Sequence, residues 1–369
     1  MECGSFDGEN VNAFGIGADD SEALAEVNKH IKVFVRVRPM NQLEIAANQY
    51  EIATVGQRPT AAQPYGRLFL HEPQVRMDWS NQRTRIGVKT RTFRYDDVFD
   101  ASCDNDHVYD TAVKPLMQAM EQDGARVTLF AHGQSGSGKT HTVFGSAVGI
   151  HQRIMHDLFA LVEQMRSRVY LVPYLSFFEI HQDKFHDLLQ SRALCDLHSD
   201  DYNTKLKGLK KVQLNSPEEA MELIRKGNLD RTVGATSLNA AASRSHAIVQ
   251  VTLCKEAHGQ AKRSVYARFN LVDLAGSDCG AGIKEATIKA RAEGGGINKS
   301  LLELKNRIRE LSRMDAIKLP ASGKESFRSA KLTRVLRDSL VSPLAYTSVI
   351  ACVSPASGSL ENTIGTLRY

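Results

Sequence analysis

The sequence predicts an α/β fold, one domain in which a central mixed β-sheet carries helices on both faces, and three observations predict it. Strand-like apolar runs alternate with helical spacing along most of the chain. One such run, Val127-Thr128-Leu129-Phe130-Ala131, leads straight into the glycine-rich stretch Gly133-Gln134-Ser135-Gly136-Ser137-Gly138-Lys139-Thr140. Another, Phe269-Asn270-Leu271-Val272, closes on Asp273, with Gly276 just beyond.

Taken in order, residues 1–30 carry seven acids (Glu2, Asp7, Glu9, Asp19, Asp20, Glu22, Glu26) against Lys29 and are glycine-rich, so a flexible acidic extension is expected there. Order is expected from residue 31 to residue 369. Ile31-Lys32-Val33-Phe34-Val35-Arg36-Val37-Arg38 alternates apolar and basic residues up to Pro39 and reads as a strand. Residues 42–65 read as loop. Strand-like runs at Arg67–His71 and Arg91–Tyr95 bracket a polar segment with Arg76-Met77-Asp78, which predicts a projecting hairpin.

Val108, Ala112, Leu116 and Met120 recur at every fourth position and predict a helix over 105–122, beside the strand that feeds the glycine-rich loop. The same spacing predicts a helix over 150–165, and 169–180 reads as a long strand. Ser216-Pro217-Glu218-Glu219 forms a capping box that opens a helix, which Gly227 is expected to close. Two further strands are expected at 246–253 and 266–274, and a helix at 297–313.

Bulk properties narrow the function. A hydrophobic content of 42% over 369 residues is ample for a core. No apolar stretch approaches the length of a membrane span, and the first residues lack the basic and apolar blocks of a signal peptide, so a cytosolic setting without membrane contact is expected. Cys3, Cys103, Cys195, Cys254, Cys279 and Cys352 are scattered, with no C-x-x-C and no histidine cluster at zinc spacing. Neither a disulfide framework nor a metal-ligand cluster is indicated. The net charge of +5 conceals an asymmetry: residues 299–334 hold ten bases and four acids. Such a segment suits a polyanionic partner, and nucleic acid, anionic membrane and acidic protein are all eligible on charge alone.

The chemistry centres on residues 133–140, which fit G-x-x-x-x-G-K-[ST]. Glycines let backbone N–H groups close around phosphates, Lys139 reaches the outer ones, and Thr140 is placed to hold Mg²⁺. A phosphate loop needs an acid at the end of a neighbouring strand, and Asp273 is so placed. Gly276 could offer its N–H to a terminal phosphate at no steric cost, and a peptide that gains or loses such a contact is a conformational switch.

A third segment, Asn239-Ala240-Ala241-Ala242-Ser243-Arg244-Ser245-His246, lies between the other two. Together with Gly133–Thr140 followed by His141-Thr142, and with Asp273-Leu274-Ala275-Gly276, it resembles in order and spacing the phosphate loop and two switches of the kinesin motor domain. Further matches run from Val35-Arg36-Val37-Arg38-Pro39 to Asn362–Tyr369 and include Phe177-Phe178-Glu179-Ile180, Ile297–Leu302 and Lys331-Leu332-Thr333. The resemblance covers 31–369 and implies a P-loop NTPase-type kinesin motor fold, ATP and Mg²⁺ as ligands, and tubulin as partner in the cytoplasmic microtubule cytoskeleton.

It also implies roles. Arg36, Arg38, Pro39 and His141 would border the adenine, and Gly133, Gln134, Ser135, Gly136, Ser137, Gly138, Lys139 and Thr140 would wrap the phosphates. Thr140, Ser243 and Asp273 would hold Mg²⁺. Arg244 would pair with Asp278, closing the switches over ATP, with Gly276 sensing the γ-phosphate. Two residues depart from the family pattern: Ala242 stands where kinesins usually carry Ser, and Asp278 where they carry Glu. Slower turnover is expected, with hydrolysis retained.

For the partner surface, 297–313 shows an apolar stripe (Leu301, Leu304, Ile308, Leu311) beside a basic one (Lys305, Arg309, Arg313). Lys318, Lys324, Arg328, Lys331 and Arg334 follow. In kinesins the corresponding helix and loop sit on acidic tubulin, and the segment lacks the interleaved aromatics of a nucleic-acid surface. Lys205, Lys207, Lys210 and Lys211 read equally well as a second contact or as a solvated loop. His71–Asp78 and Arg291–Asn298 are similar to the kinesin-13 class, in which a lysine-valine-aspartate hairpin tip is implicated in bending tubulin; here the tip is Arg76-Met77-Asp78. That class's lysine-glutamate-cysteine is Lys305-Asn306-Arg307 here, and its basic neck is replaced by acids. Three functions follow: a microtubule-depolymerising ATPase, favoured here, a kinesin stepping along the lattice, or a nucleotide-insensitive microtubule-binding module. Since kinesins continue beyond the position of Tyr369, a fragment is expected, with the oligomeric state set elsewhere.

Overall fold

The computed structural model describes residues 31–78, 83–145, 149–199, 204–233, 244–256, 264–278, 288–313, 327 and 329–368. It opens with β1 (Ile31–Val37), α1 (Gln42–Ala46), β2 (Ala53–Val55), β3 (Gly66–Asp78) and β4 (Arg83–Tyr95). Next come β5 (Asp97–Phe99), α2 (Asn105–Ala112), α3 (Lys114–Ala119), β6 (Arg126–His132), α4 (Lys139–Phe144) and α5 (Ile150–Met165). Strands β7 (Leu171–His181), β8 (Lys184–Asp187), β9 (Ala193–Ser199), β10 (Thr204–Lys207) and β11 (Val212–Gln213) precede α6 (Pro217–Val233). Then follow β12 (His246–Lys255), β13 (Ser264–Asp273), α7 (Ile288–Arg313), α8 (Lys331–Val341), β14 (Ala345–Val353) and α9 (Leu360–Leu367).

The main sheet runs β10-β9-β8-β7-β12-β13-β6-β14-β1-β5, with β11 paired to β7. Strands β13, β6, β14, β1 and β5 are mutually parallel, while β12 is antiparallel to both neighbours. Alternation along β6 explains why both faces need helices. Val127 and Leu129 join the core beneath α2 to α6, whereas Phe130 points to the opposite core with Leu301, Leu304 and Ile308 of α7 and Leu332, Leu336 and Leu340 of α8. All these side chains are at most 6% exposed, and each contributes about 1.5–3 kcal/mol by leaving water. The expected mixed sheet with helices on both faces is what forms.

Several expected boundaries moved. The helix over 105–122 divides at Val113 into α2 and α3, because Pro115 lacks an N–H and clashes with a continued turn. Residues 42–65 hold α1 and β2, the former fixed by the Asn41–Glu44 capping box. The hairpin strands reach well beyond the expected runs, with Arg76, Met77 and Asp78 opposite Arg85, Thr84 and Arg83. Residues 79–82 at the tip lie outside the described residues. Helix α7 begins at Ile288, earlier than expected. Gly227 does not end α6, which continues to Val233. Its role is close approach: a Cβ there would overlap the Phe177 ring, lying 2.6 Å from Cε1. The acidic extension over 1–30 lies outside the described residues.

Candidate functional site

Sheet topology brings the three motifs to one edge. The parallel strands β6 and β13 deliver residues 133–138 and 274–278 to their carboxyl ends, where ligands of such sheets bind. Because β12 is antiparallel to β13, with Ala247 opposite Asp273, its beginning at Arg244–His246 arrives at the same edge.

The loop from β6 to α4 has the shape its glycines permit. Gly133 (φ +145°) would, as any other residue, drive a Cβ into the carbonyl oxygen of Cys352, and Gly138 (φ +99°) starts α4 from a left-handed conformation. Lys139 folds back, its Nζ donating to the carbonyl oxygens of Gly133 (2.9 Å) and Gln134 (2.8 Å). Burial pushes its pKa down from the usual lysine value. Gln134 Oε1 and Ser137 Oγ are buried without a hydrogen-bond partner.

Asp273 ties the loop to α6. Its Oδ2 accepts from Thr140 Oγ1 (2.8 Å) and from Arg231 Nη1 (2.9 Å), and the ion-paired side chains are 1% and 2% exposed. Arg231 also donates to Ser245 Oγ (3.2 Å) and to the Ser245 carbonyl (2.9 Å), which joins α6 to the start of β12. Arg231 was invisible to a reading that closed the helix at Gly227. The second oxygen of Asp273, Oδ1, is buried and without a hydrogen-bond partner, so a carboxylate lone pair beside the Thr140 hydroxyl remains for a hard cation. This oxygen-donor pair fits Mg²⁺. Ser243, the third expected ligand, and Ala242 lie outside the described residues.

Residues 274–278 are docked on the loop. Leu274 N–H donates to Ala131 O, Ser277 N–H to Gly133 O and Ala275 N–H to His246 Nδ1, each at 3.1 Å. A Cβ on Gly276 would overlap Ser135 Oγ and lie 3.0 Å from Ser135 N, so only glycine lets the two segments touch. Where sequence suggested an Arg244–Asp278 pair, Asp278 accepts from Ser135 N–H (2.9 Å) and Ser135 Oγ (2.6 Å). The short carboxylate is satisfied on the phosphate loop. Arg244 is exposed and lines a cavity of about 450 Å³ with Ile180, His246, Ile297, Ser300 and Leu332. His246 is 3% exposed, and burial, reinforced by Arg231 and Lys139, lowers its pKa to about 3.

At the expected adenine side, Pro39 and His141 are exposed, and Arg38 leans over the loop, donating from Nε to Gly136 O (2.8 Å) and pairing with Glu44. Arg36 differs from expectation. Its guanidinium lies inside the rim, donating to Asn105 Oδ1, Thr142 Oγ1 (2.8 Å) and Cys103 O (3.2 Å). It braces α4 instead of offering a flat face.

The basic stripe of α7 also differs. Lys305 and Arg309 are half-buried and turn towards the end of α9, with Arg309 Nη2 on Arg368 O (2.9 Å). Burial, with Arg309 and Arg368 nearby, lowers the Lys305 pKa to about 8. Arg307 is paired with Glu303 and Glu310, so the outer side of α7 presents Asn298, Lys299, Leu302 and Glu310. Lys331 is held on the Asp183 carbonyl and over the Phe185 ring. Lys205 and Lys207 of β10, and Lys210 and Lys211 just after it, are exposed, as is Lys299. Lys318, Lys324 and Arg328 lie outside the described residues, as do the side chains of Arg313, Arg76, Met77 and Asp78.

Comparison with known proteins follows this geometry. The family model described as the kinesin motor domain matches residues 36–369. The chain is similar to the solved motor and motor homology domain of Kar3Vik1 fused to a synthetic coiled coil, at 26% identity and TM-score 0.74, covering 94% of this chain and 85% of that one. A structure described as a fast kinesin is 28% identical, TM-score 0.72, covering 92% and 89%. The motor domain of a Kar3-like kinesin from Ashbya gossypii shares the fold at 22% identity and TM-score 0.69, covering 92% and 97%. The resemblance to the depolymerising class gains no support from these likenesses.

Proposed function

This chain belongs to the kinesin motor-domain family, a family of ATPases, and from that premise we propose that it couples ATP hydrolysis to a nucleotide-dependent grip on tubulin. One observation carries the reading: the phosphate loop, residues 273–278 and the start of β12 meet at one sheet edge, with Asp273 Oδ2 joining Thr140 to Arg231. Phosphates entering the Gly133–Thr140 loop would take over the Lys139 ammonium, whose carbonyl partners belong to the same loop. Thr140 and Asp273, with Ser243, would hold Mg²⁺, which when bound neutralises phosphate charge. Gly276, in contact with Ser135, is placed to move when the terminal phosphate is lost. Pro39 and His141 offer apolar and aromatic surface to a base. Hydrolysis of this kind asks the protein mainly to position groups and spread charge.

Steady-state phosphate release with and without microtubules tests this reading. A rate no higher than that of Lys139→Ala would overturn it.

The finer reading is action at microtubule ends. The β3–β4 hairpin supports it, since thirteen paired positions carry Arg76, Met77 and Asp78 away from the main sheet. Lattice stepping is the second reading, favoured by the likeness to the fast kinesin. Immobilised microtubules separate the two: shortening from both ends supports the first, directional gliding the second. Replacing Arg76 and Asp78 by Ala is expected to abolish shortening and spare lattice binding; equal loss of both counts against a role for the tip.

A further inference from the structure

The face of the main sheet beneath α7 and α8 changes character along its strands. Residues paired in register share a face, so three rows run across β12, β13, β6 and β14 on that side. The row nearest the phosphate loop is apolar: Ile248, Val272, Phe130 and Val349. The next is polar throughout, with Gln250, Asn270, Thr128 and Thr347. Its groups satisfy one another: Gln250 Nε2 donates to Asn270 Oδ1 (2.9 Å), and Asn270 Nδ2 donates to Ser339 Oγ of α8 (2.6 Å). The third row is Thr252, Arg268, Arg126 and Ala345, at the end of the sheet away from the phosphate loop. Two guanidinium groups therefore rise side by side from neighbouring strands whose backbones are about 4.8 Å apart.

Such a pair is repulsive, and among the described residues it is not neutralised. Arg126 makes one side-chain hydrogen bond, from Nη1 to the carbonyl oxygen of its own neighbour Ala125 (2.9 Å). Arg268 Nε is buried without a hydrogen-bond partner. Two acids lie within electrostatic reach, but Asp123 is held by Lys255, and Asp338 of α8 forms no ion pair with either arginine. Even with Asp338 counted, one positive charge is left over. Burial pushes both guanidinium pKa values below the ordinary arginine value, and at Arg268 the neighbouring Arg126 adds to the effect. A solvated surface arginine would keep its Nε in water, and a structural one would have acceptors around its fork. Arg268 has neither.

We infer that Arg268 and Arg126 form an oxyanion site that takes inorganic phosphate beneath the end of α8. Each guanidinium offers parallel N–H donors that match two oxygens of a tetrahedral anion, which a lysine cannot do. An ion seated between them supplies the acceptor that Arg268 Nε lacks and turns a repulsive pair into two charge-assisted contacts. Thr252, the next residue in the row, brings a hydroxyl to the same side. The site is separate from the phosphate loop, because Arg126 opens β6 and Gly133 follows its last residue, about 20 Å along the strand. It does not depend on the ATPase reading.

Melting of the whole chain in sodium phosphate, against sodium chloride of equal ionic strength, tests the site. With a Kd of about 1 mM, phosphate at about 20 mM should raise the melting temperature by about 2–3 °C. The Gly133–Thr140 loop could also take phosphate, so the same comparison is made in Lys139→Ala, where the shift is expected to survive. It is expected to disappear in Arg268→Gln and in Arg126→Gln. Each variant is compared with itself in chloride, so a change in its own stability does not enter, and the second variant serves if the first fails to fold. Arg268→Lys, which keeps the charge and loses the fork, should retain less than half of the shift. No shift in the wild type, a shift that persists in Arg268→Gln, or one that is lost in Lys139→Ala overturns the proposal. Phenyl phosphate separates a free ion from a phosphate carried on a larger body: it is expected to give the smaller shift, and a shift as large as that of inorganic phosphate overturns the assignment to the free ion.

Discussion

Arg231 is the residue whose removal should cost most for its distance from any expected ligand. It is 1% exposed, and its guanidinium meets Asp273 at 2.9 Å while bonding Ser245 through two further donors. Arg231→Met deletes the cation and leaves Asp273 buried with one hydroxyl donor from Thr140. Breaking a buried pair by removing one partner costs about 3–5 kcal/mol. A fold of roughly 340 residues unfolds with an entropy of about 0.7 kcal/mol/K, so the melting temperature should fall by about 4–7 °C. Asp273→Asn leaves the guanidinium without its counter-charge but still on Ser245, and belongs at the lower end of that range. The double variant removes both charges, and its cost should fall short of the sum of the singles by about 2 kcal/mol or more. Calorimetric melts of all four proteins without nucleotide provide the cycle. Additivity within about 0.5 kcal/mol, or a single-variant loss below 1 °C, would refute the claim that this pair holds α6, β12 and β13 together.

Three further outcomes are expected. Gly227→Ala should lower stability by about 1–3 kcal/mol, because the new Cβ overlaps the fully buried Phe177 ring, and an unchanged melting temperature would show that α6 can shift. For Lys305, the folded-state pKa of about 8 lies below the ordinary lysine value of 10.5, so the charge destabilises the fold at neutral pH and stability rises as pH climbs from 8 towards 10.5. Lys305→Met should then be more stable at pH 7 by about 1 kcal/mol, allowing for solvent screening, with the gap narrowing by pH 9.5 in urea melts. For Glu44, the Arg38 contact lowers the carboxyl pKa to about 2, so its stabilisation is present above the ordinary value of 4.5 and is lost as pH falls towards 2. Glu44→Gln should be weaker than wild type at pH 6 and converge with it near pH 2; a gap that stays constant with pH contradicts the assignment.

What could be read from the sequence depended on where each residue finds its partner. The phosphate loop was legible because its demands are local: a left-handed turn at Gly138, a lysine folded over its own loop, and a strand before and a helix after. Asp273 was legible because a strand end fixes where its side chain can be. Arg231 was not, since its partner lies 42 residues away and Gly227 looked like a helix end. That same glycine is required for the opposite reason, to let the helix continue past Phe177. The stripe of Lys305 and Arg309 shows a subtler limit. Spacing by four establishes that two side chains share a face, but the face is defined only relative to the helix. The apolar stripe placed Leu301, Leu304 and Ile308 against the sheet, and the adjacent basic stripe could border either solvent or α9. Arg368, 59 residues beyond Arg309, decides it by offering a carbonyl to the guanidinium, and the lysine beside it loses part of its hydration as a result. Charge along a sequence therefore located a basic segment without identifying its accessible members. The exposed lysines at 205, 207, 210 and 211, which local reading left evenly balanced between contact and solvated loop, remain free to meet an acidic surface.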